Sequence, residues 1–402
     1  MRAQHTPHFL TAFPVYSSSF LSPSHLVLGG GGGASRTGIK NKLRVYDVGE
    51  NRSITLIDEL ELERGEDAPM SMATHPEAST LACGVNSPEE QLIKGANENC
   101  RLYSFKEQKL SLLRTHGTLI SGDLEDFQKV TVLSPDSKFL AAAGTKSLQL
   151  LSFPSLAPAA LAIKTEKEIY DVTFSKNTLV VATTENLLVY TLPTDSGSQS
   201  SPSKNKKKGK QKAKVPLELE LLRTVEPPAL MGSNGSTFRA ARYHPENSDI
   251  LYTISNTVPP RSRTKKAVAR QAFVCKWNTA TWTVDKVRKV GDRGLTCFDV
   301  SPNGNLLAFG SSDYTVGLLD AKTLSPLVTI LKAHEFPPTT LKFNPTSRLL
   351  VSGSADNTIR VISVPDSVGK SSSGLLFIIL ITLLIVLLAF MAQQYLNGGL
   401  KL

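Results

Sequence analysis

A short strand-like segment recurs seven times along this chain of 402 residues and limits the folds open to it. The copies are LRVYDV (43–48), RLYSF (101–105), LQLLSF (148–153), LLVYTL (187–192), FVCKWN (273–278), TVGLLD (315–320) and TIRVISV (358–364). If the residues Tyr46, Tyr103, Leu151, Tyr190, Trp277, Leu319 and Ile362 are equivalent, the spacings are 57, 48, 39, 87, 42 and 43 residues. The shorter spacings match the period of about 40–45 residues that is typical of propeller blades.

A second signal precedes most of these segments. Residues 133–140, 300–307 and 343–350 each combine two apolar runs with a turn that contains proline, which predicts a hairpin. Together the two signals resemble the WD40 repeat family, although the Trp-Asp pair of that family is degenerate here. The resemblance implies an all-β, seven-bladed WD40-like propeller over residues 1–364, with the seven segments as outer strands.

The long spacings predict insertions at residues 86–97, 194–216 and 256–271. The second holds a lysine-rich stretch (203–214) with seven lysines and no acid, which we expect to be disordered. Without it the net charge falls from +10 to +3, so the basic composition does not indicate nucleic acid as a partner. By propeller topology, the glycine-rich loop described below, 86–97 and 256–271 share one face, and the lysine-rich stretch lies on the other.

Residues that carry chemistry are scattered. The four cysteines show no metal-ligand spacing and no paired framework, and the seven histidines are dispersed. His334 occupies a place where WD repeats commonly carry a structural histidine. We therefore expect no covalent catalysis from this chain.

The C-terminal part differs from the rest because residues 374–392 are apolar and uncharged, with Thr382 as the polar exception. About 18 helical residues cover roughly 27 Å, the thickness expected of an endoplasmic reticulum bilayer. The sequence predicts a linker (365–373), one transmembrane helix (374–392) and a lumenal tail (393–402), with the propeller in the cytosol.

Five consecutive glycines, Gly29 to Gly33, begin a loop before the first repeated segment. A dinucleotide or P-loop phosphate site needs a helix after the glycines, whereas residues 43–46 are strand-like, so both are excluded. Two alternatives stay open. One is a flexible hairpin tip. The other is a built loop, since Thr37, Gly38 and Asn41 favour turns and Ile39 suits insertion into a protein groove.

The glycine run followed by SRTGIKN (35–41), in the first hairpin of a degenerate propeller with a C-terminal anchor, resembles one family in particular. This is the family of endoplasmic reticulum exchange factors for the Sar-type small GTPase, which includes the prolactin regulatory element-binding proteins. The resemblance implies promotion of GDP release and GTP loading, which starts COPII coat assembly for transport from the endoplasmic reticulum to the Golgi.

The resemblance also implies site residues. It places the exchange site at Asn41, Ile39, Gly38 and Thr37, and a potassium ion near Gly38, Ile39 and Asn41. It places contacts with the GTPase at Gly29, Gly30, Gly31, Gly32, Gly33, Arg36 and Lys40. The alternative function is a membrane-anchored WD40 scaffold without exchange activity, because propellers often serve as platforms and a fold alone does not give a function.

Overall fold

The computed structural model divides the chain into two compact units, Met1–Pro365 and Asp366–Leu402. It describes residues 4–34, 38–75, 77, 79–119, 123–193, 217–230, 235–258, 270–364 and 373–396, except the side chains of 373–377, 395 and 396. The predicted lysine-rich insertion (203–214), the linker as far as residue 372 and the tail from residue 397 lie outside the described residues.

The first unit consists of seven antiparallel sheets, which are the blades of a propeller. Its strands are β1 (His5–Phe9), β2 (Val15–Phe20), β3 (His25–Gly30), β4 (Lys42–Val48), β5 (Ile54–Glu61), β6 (Ser71–His75), β7 (Thr80–Gly84), β8 (Cys100–Lys106), β9 (Lys109–His116), β10 (Val130–Leu133), β11 (Phe139–Ala143), β12 (Ser147–Ser152), β13 (Ala157–Pro158), β14 (Ile163–Lys164), β15 (Ile169–Phe174), β16 (Thr178–Thr183), β17 (Leu187–Thr191), β18 (Leu221–Val225), β19 (Ser236–Tyr243), β20 (Ile250–Thr257), β21 (Ala272–Asn278), β22 (Thr283–Gly291), β23 (Leu295–Val300), β24 (Leu306–Ser311), β25 (Val316–Asp320), β26 (Pro326–Ile330), β27 (Pro338–Phe343), β28 (Leu349–Ser354) and β29 (Thr358–Ser363).

Successive groups of strands form successive blades. Blade 1 is β2–β5, blade 2 is β6–β9, blade 3 is β10–β14, blade 4 is β15–β18, blade 5 is β19–β22, blade 6 is β23–β26, and blade 7 is β27–β29 with β1. The predicted all-β, seven-bladed fold is confirmed.

The ring is closed by the first strand of the chain. β1 pairs with β29 in antiparallel register, from His5 opposite Ile362 to Phe9 opposite Thr358. The inner strands β2 and β27 then lie in contact, as the inner strands of the other neighbouring blades do. Because every sheet packs against two others, no blade faces solvent on both sides.

The hydrophobic core lies between the blades. Between blades 7 and 1, for example, Phe13, Leu28 and Tyr46 pack with Val351 and Val361, all of them buried. A comparable cluster joins blade 1 to blade 2 through Val27, Leu43, Leu81 and Tyr103, among others. Apolar residues in alternate positions of each strand therefore fix the neighbouring blades to each other.

The seven repeated segments are the third strands of their blades, not the outermost ones. In blades 1 to 6 a further strand pairs outside them, for example β5 outside β4. These fourth strands were not predicted. The repeated segments themselves match the structure closely: LRVYDV was predicted at 43–48, and β4 is Lys42–Val48.

Chain direction places the connections on two faces. The connections from the second to the third strand of a blade share a face with those from the fourth strand to the next blade. This face, called the loop face below, carries the described ends of the connections from β3 to β4, from β7 to β8 and from β20 to β21. The strand order agrees with the prediction that these three connections begin and end on one face. The third strand of blade 4, β17, ends and the fourth, β18, begins on the opposite face, and the lysine-rich insertion between them lies outside the described residues.

The chain contains two described helices. α1 (Glu89–Ile93) is a single short turn in the connection 85–99. α2 (Ser373–Leu396) is the described element of the second unit, and large apolar side chains from Ile378 to Met391 are exposed along it. Within the described part of the chain, no helix is both long and apolar enough to cross a membrane.

Candidate functional site

The glycine loop (residues 29–41) begins inside strand β3. Gly29 pairs with Leu43 and Gly30 with Lys42, and both glycines are buried. A Cβ on Gly29 would lie 2.5 Å from Ser17 Oγ, and one on Gly30 would lie 2.2 Å from the Pro14 carbonyl oxygen. These two glycines therefore allow the strand to pack closely against its neighbours, and the projecting part of the loop runs from residue 31 to residue 41.

Gly31 makes the turn out of the strand. Its φ of +138° lies in a region that side-chain-bearing residues rarely adopt. A Cβ at this position would lie 2.3 Å from Asn41 Oδ1 and 2.5 Å from Asn41 Cα. The Gly31 N–H donates to the carbonyl oxygen of Pro14 at 3.0 Å, which fixes the start of the loop to the segment entering blade 1.

Asn41 holds the two ends of the loop together. Its Oδ1 accepts a hydrogen bond from the Gly33 N–H at 2.9 Å, and its Nδ2 donates to the Gly33 carbonyl oxygen at 3.0 Å. The same Nδ2 donates to the carbonyl oxygen of Glu66 at 2.7 Å. The Asn41 side chain is 8% exposed, so these bonds are largely shielded from water. The Asn41 side chain therefore joins the loop to the connection from blade 1 to blade 2, and we call these three hydrogen bonds the clamp.

A buried ion pair supports this clamp from blade 2. Arg101, on β8, lies with its Nη2 2.6 Å from Glu66 Oε1, and both side chains are 7% exposed. The other carboxylate oxygen of Glu66 accepts a hydrogen bond from the Glu63 N–H at 2.8 Å. Burying both charges is tolerated because they pair and because Glu66 is further hydrogen-bonded. The backbone of residue 66, which receives the Asn41 amide, is therefore held in one place.

Asp67 forms a third attachment. Its carboxylate accepts hydrogen bonds from the backbone N–H groups of Ala68 and Ala34, the second of which belongs to the glycine loop. Burial raises the pKa of the Asp67 carboxyl, and the two backbone bonds oppose that shift. The loop is thus attached to Pro14, Glu66 and Asp67, which argues against a freely moving hairpin tip for its described residues.

Blade 2 uses an asparagine in the same way. Asn99 immediately precedes the third strand of blade 2, as Asn41 precedes that of blade 1. Its Oδ1 accepts from the Thr118 N–H at 2.8 Å, and its Nδ2 donates to Gln128 Oε1 at 2.7 Å. Both asparagines therefore join a connection between strands to the segment that enters the next blade. What sets blade 1 apart from blade 2 is the glycine run at the start of its connection.

The remaining predicted site residues are placed as follows. Gly38 and Lys40 are exposed and Ile39 is half-buried, all near the outer end of the loop. Lys40 Nζ lies 2.5 Å from Glu61 Oε1, an exposed ion pair. Gly32 and Gly33 are half-buried. Arg36 and Thr37 lie outside the described residues. Among the described residues of the loop, the exposed positions are therefore Ala34, Gly38 and Lys40.

The predicted potassium site can be tested against the geometry of Asn41. Its side-chain oxygen accepts from Gly33, and its backbone carbonyl oxygen accepts from the Leu62 N–H at 2.9 Å. Both oxygens are thus engaged, so Asn41 fits a role in shaping the loop better than one as a direct ligand. Backbone carbonyl oxygens such as those of Gly38 and Ile39 suit a hard cation. In the described ranges, no cluster of three or more His, Cys, Asp or Glu side chains could hold a metal ion.

Sequence reasoning missed Glu66, Asp67 and Arg101. Glu66 lies 25 positions from Asn41, and Arg101 a further 35 beyond Glu66, so no local motif connects them. The available signal was the propeller topology, which places the segment entering blade 2 on the same face as the loop of blade 1.

Comparison with known proteins agrees with this architecture. The model described as "WD domain, G-beta repeat" matches residues 286–320 and 325–363. The first match begins in β22, the outermost strand of blade 5, and ends with β25. Each sequence repeat thus joins the outer strand of one blade to the three inner strands of the next.

Longer matches come from individual proteins. The chain is 24% identical over 375 residues to "Guanine nucleotide-exchange factor SEC12" of Candida glabrata, covering 92% of this chain and 74% of that protein. It is 23% identical over 366 residues to "Putative guanine nucleotide-exchange factor SED4" of Saccharomyces cerevisiae, covering 90% of this chain but 31% of SED4. It is 24% identical over 339 residues to "SEC12-like protein 2" of Arabidopsis thaliana, covering 82% of this chain and 73% of that protein.

These matches cover 82–92% of the chain, far more than the two clearest repeats. The chain is therefore a seven-bladed propeller with WD40 repeats that is similar, over most of its length, to proteins named SEC12, SED4 and SEC12-like.

Proposed function

We propose that this chain is a guanine nucleotide exchange factor for a small GTPase of the Sar type. The observation that carries the proposal is the similarity over 92% and 90% of the chain to proteins named as exchange factors. The glycine loop supports it, because a long loop attached at three points offers a partner a shape that is ready before binding. By promoting GTP loading at the endoplasmic reticulum, the chain would initiate assembly of the COPII coat.

The proposed mechanism needs no covalent chemistry. The chain binds the nucleotide-free GTPase more tightly than the nucleotide-bound form, and this difference in affinity lowers the barrier to GDP release. A thousandfold acceleration corresponds to about 4 kcal/mol of such preference. The glycine loop presses against the switch regions of the GTPase and disturbs its phosphate and magnesium site. Loop rigidity matters because a mobile loop would lose ordering entropy on binding.

The loop residues divide the work between them. Gly29, Gly30, Gly31 and Asn41 are buried, and we infer that they shape the loop. The exposed positions Gly38 and Lys40, together with Ile39, Arg36 and Thr37, are the proposed contacts with the GTPase.

A potassium ion held by loop carbonyl oxygens is part of the proposal, and it would add rigidity to the outer turn. Hydrogen exchange of residues 29–41, measured in potassium and in sodium buffers, tests it. Equal exchange in the two buffers would exclude a specific ion.

The membrane location is proposed from the sequence of residues 374–392 and from the family resemblance. An anchor there would confine activation to one membrane surface. Alkaline carbonate extraction of membranes from cells that produce the chain tests this, with a variant that ends at residue 364 as the control. Release of the full chain into the supernatant would contradict an integral anchor.

The exchange proposal is tested by replacing the loop. In blade 7 the paired residues Ser354 and Thr358 are joined by three residues, whereas eleven join Gly30 and Lys42 in blade 1. We therefore replace residues 31–41 by Ala-Asp-Asn, the turn of blade 7. The measurement is GDP release from a Sar-type GTPase by the full chain in detergent.

Wild type should accelerate release and the loop replacement should not. Deletion of residues 203–214, which lie in the connection from β17 to β18, is the control and should leave release unchanged. A replacement variant that remains folded and retains full activity would overturn the role of the glycine loop in exchange. A folded wild-type chain that does not accelerate release would favour the alternative, a scaffold without exchange activity.

A further inference from the structure

The described part of the glycine loop is by itself a poor anchor for a protein partner. Stable interfaces bury about 800 Å² on each partner, and their binding energy is concentrated in a charge-poor apolar centre. Within the described part of the loop, the exposed residues are Ala34, Gly38 and Lys40, which offer little apolar area. A partner bound through this loop therefore needs further contacts on the loop face.

Two surfaces adjoin the loop on that face, and they differ in chemistry. Towards blade 2 the acidic side chains of Glu89, Glu90, Asp123 and Glu125 are exposed around two apolar ones, Ile93 (67%) and Leu124 (45%), so the apolar groups there are flanked by negative charge. Towards blades 7 and 6 lie three large side chains, Tyr314, Leu331 and Phe336, which are 36%, 74% and 55% exposed. We call these three residues the apolar patch.

The apolar patch is built on a fixed connection. Leu331 and Phe336 lie at the two ends of the segment that enters blade 7, and the N–H of Ala333 between them donates to the Tyr314 carbonyl oxygen at 2.8 Å. His334, in the middle of the segment, is buried, and its Nε2 lies 2.8 Å from Ser352 Oγ. The backbone that bears the exposed side chains of Leu331 and Phe336 is thus fixed by hydrogen bonds to the blades beneath it.

The patch is linked to the glycine loop through the segment that enters blade 1. Ser354 Oγ donates to the Phe336 carbonyl oxygen at 3.1 Å, and Thr339 Oγ1 donates to the Val15 carbonyl oxygen at 2.6 Å. The residue before Val15, Pro14, accepts the hydrogen bond from the Gly31 N–H. Only the segment that enters blade 1 separates the two surfaces. The charged residues of the patch segment, Lys332 and Glu335, are of opposite sign and add little net charge.

We propose that the apolar patch is a second contact for the same small GTPase that the glycine loop engages; this rests on the proposed function. The patch supplies the desolvated apolar centre of the interface, while the loop acts on the nucleotide site. The surface at blade 2, where carboxylates flank the exposed apolar side chains, is assigned to the rim of the interface.

Because the patch is proposed to bind the GTPase and the loop to act on its nucleotide site, kinetics can separate the two roles. The full chain carrying Leu331→Ser and Phe336→Ser is compared with wild type in GDP release from the GTPase, over a range of chain concentrations. The matched control carries Leu56→Ser and Val287→Ser, which remove similarly exposed apolar side chains (49% and 47%) from outermost strands. Thermal midpoints of both variants should stay at the wild-type value, because all four side chains are exposed.

We expect the patch variant to need at least tenfold more chain for half-maximal release, with a maximal rate within twofold of wild type. The control should match wild type in both quantities. An unchanged half-maximal concentration in the patch variant overturns the patch proposal while leaving the exchange proposal intact. Absence of release by wild type overturns both. Light scattering that shows a wild-type dimer but a monomeric patch variant, with unchanged release, would assign the patch to a second copy and also overturn the proposal.

Discussion

Removal of the Asn41 side chain should open the glycine loop without opening the propeller. Asn41→Ala removes three hydrogen bonds, two to Gly33 and one to the Glu66 carbonyl oxygen. At about 1 kcal/mol for each bond, the loss is about 3 kcal/mol. Gly33 is half-buried, so its N–H and carbonyl groups can form hydrogen bonds with water in the variant and recover part of this loss. We therefore expect Asn41→Ala to destabilise the closed loop by ~2 kcal/mol.

Hydrogen exchange at the Gly33 amide measures this cost directly, because that N–H donates to the side chain that is removed. A loss of ~2 kcal/mol corresponds to roughly thirtyfold faster exchange, if exchange proceeds through local opening. Peptides from blades 3 to 6 should exchange as in wild type, since their core does not involve the loop.

Asn99→Ala is the matched control. Asn99 has no measurable exposure and makes a comparable set of hydrogen bonds one blade further on. This variant should speed exchange in residues 117–119 and leave residues 29–34 unchanged. GDP release should fall for Asn41→Ala and not for Asn99→Ala. Gly33 exchange within twofold of wild type in Asn41→Ala would refute the clamp, as would equal loosening of the loop by Asn99→Ala.

Three further outcomes follow from the structure. Gly31→Ala, at a φ of +138° with a Cβ clash, should lower the thermal midpoint far more than Gly38→Ala, which meets open space and costs about 1 kcal/mol. Arg101→Met leaves the buried Glu66 carboxylate unpaired and should cost about 3 kcal/mol or more in urea unfolding. Burial lowers the pKa of His334 to about 4, against 6.5 when unfolded, so the unfolded chain binds more protons between these values. Stability should therefore fall by about 2 kcal/mol from pH 7 to pH 5, and this loss should disappear in His334→Gln.

The third strands could be predicted because they are buried on both faces. Leu43, Val45 and Tyr46 of β4, for example, pack against the neighbouring blades and give a dense apolar pattern. The fourth strands are half in solvent and lack this pattern. β22, TVDKVRKVG, is largely exposed, and nothing in its charge-rich sequence distinguishes it from a loop.

The closing strand was beyond prediction for a different reason. β1, HTPHF, contains proline and two histidines, and its partner β29 lies about 350 residues away. The attachment of the glycine loop was likewise hidden, because Glu66, Asp67 and Arg101 meet Asn41 and Ala34 only after two blades have packed. The run of five glycines indicated that the loop was unusual. The contacts that hold the loop form only when blades 1 and 2 are packed together.

The closing strand has a consequence for biosynthesis. During translation, the strand that pairs with β1 leaves the ribosome only some 350 residues after β1 itself. At about 5–20 residues per second, this interval is roughly 20 to 70 s. Throughout it β1 lacks its partner strand, and its free backbone N–H and carbonyl groups are a template for wrong pairing. Chaperone demand should therefore be concentrated in this interval and should end when the seventh blade is complete.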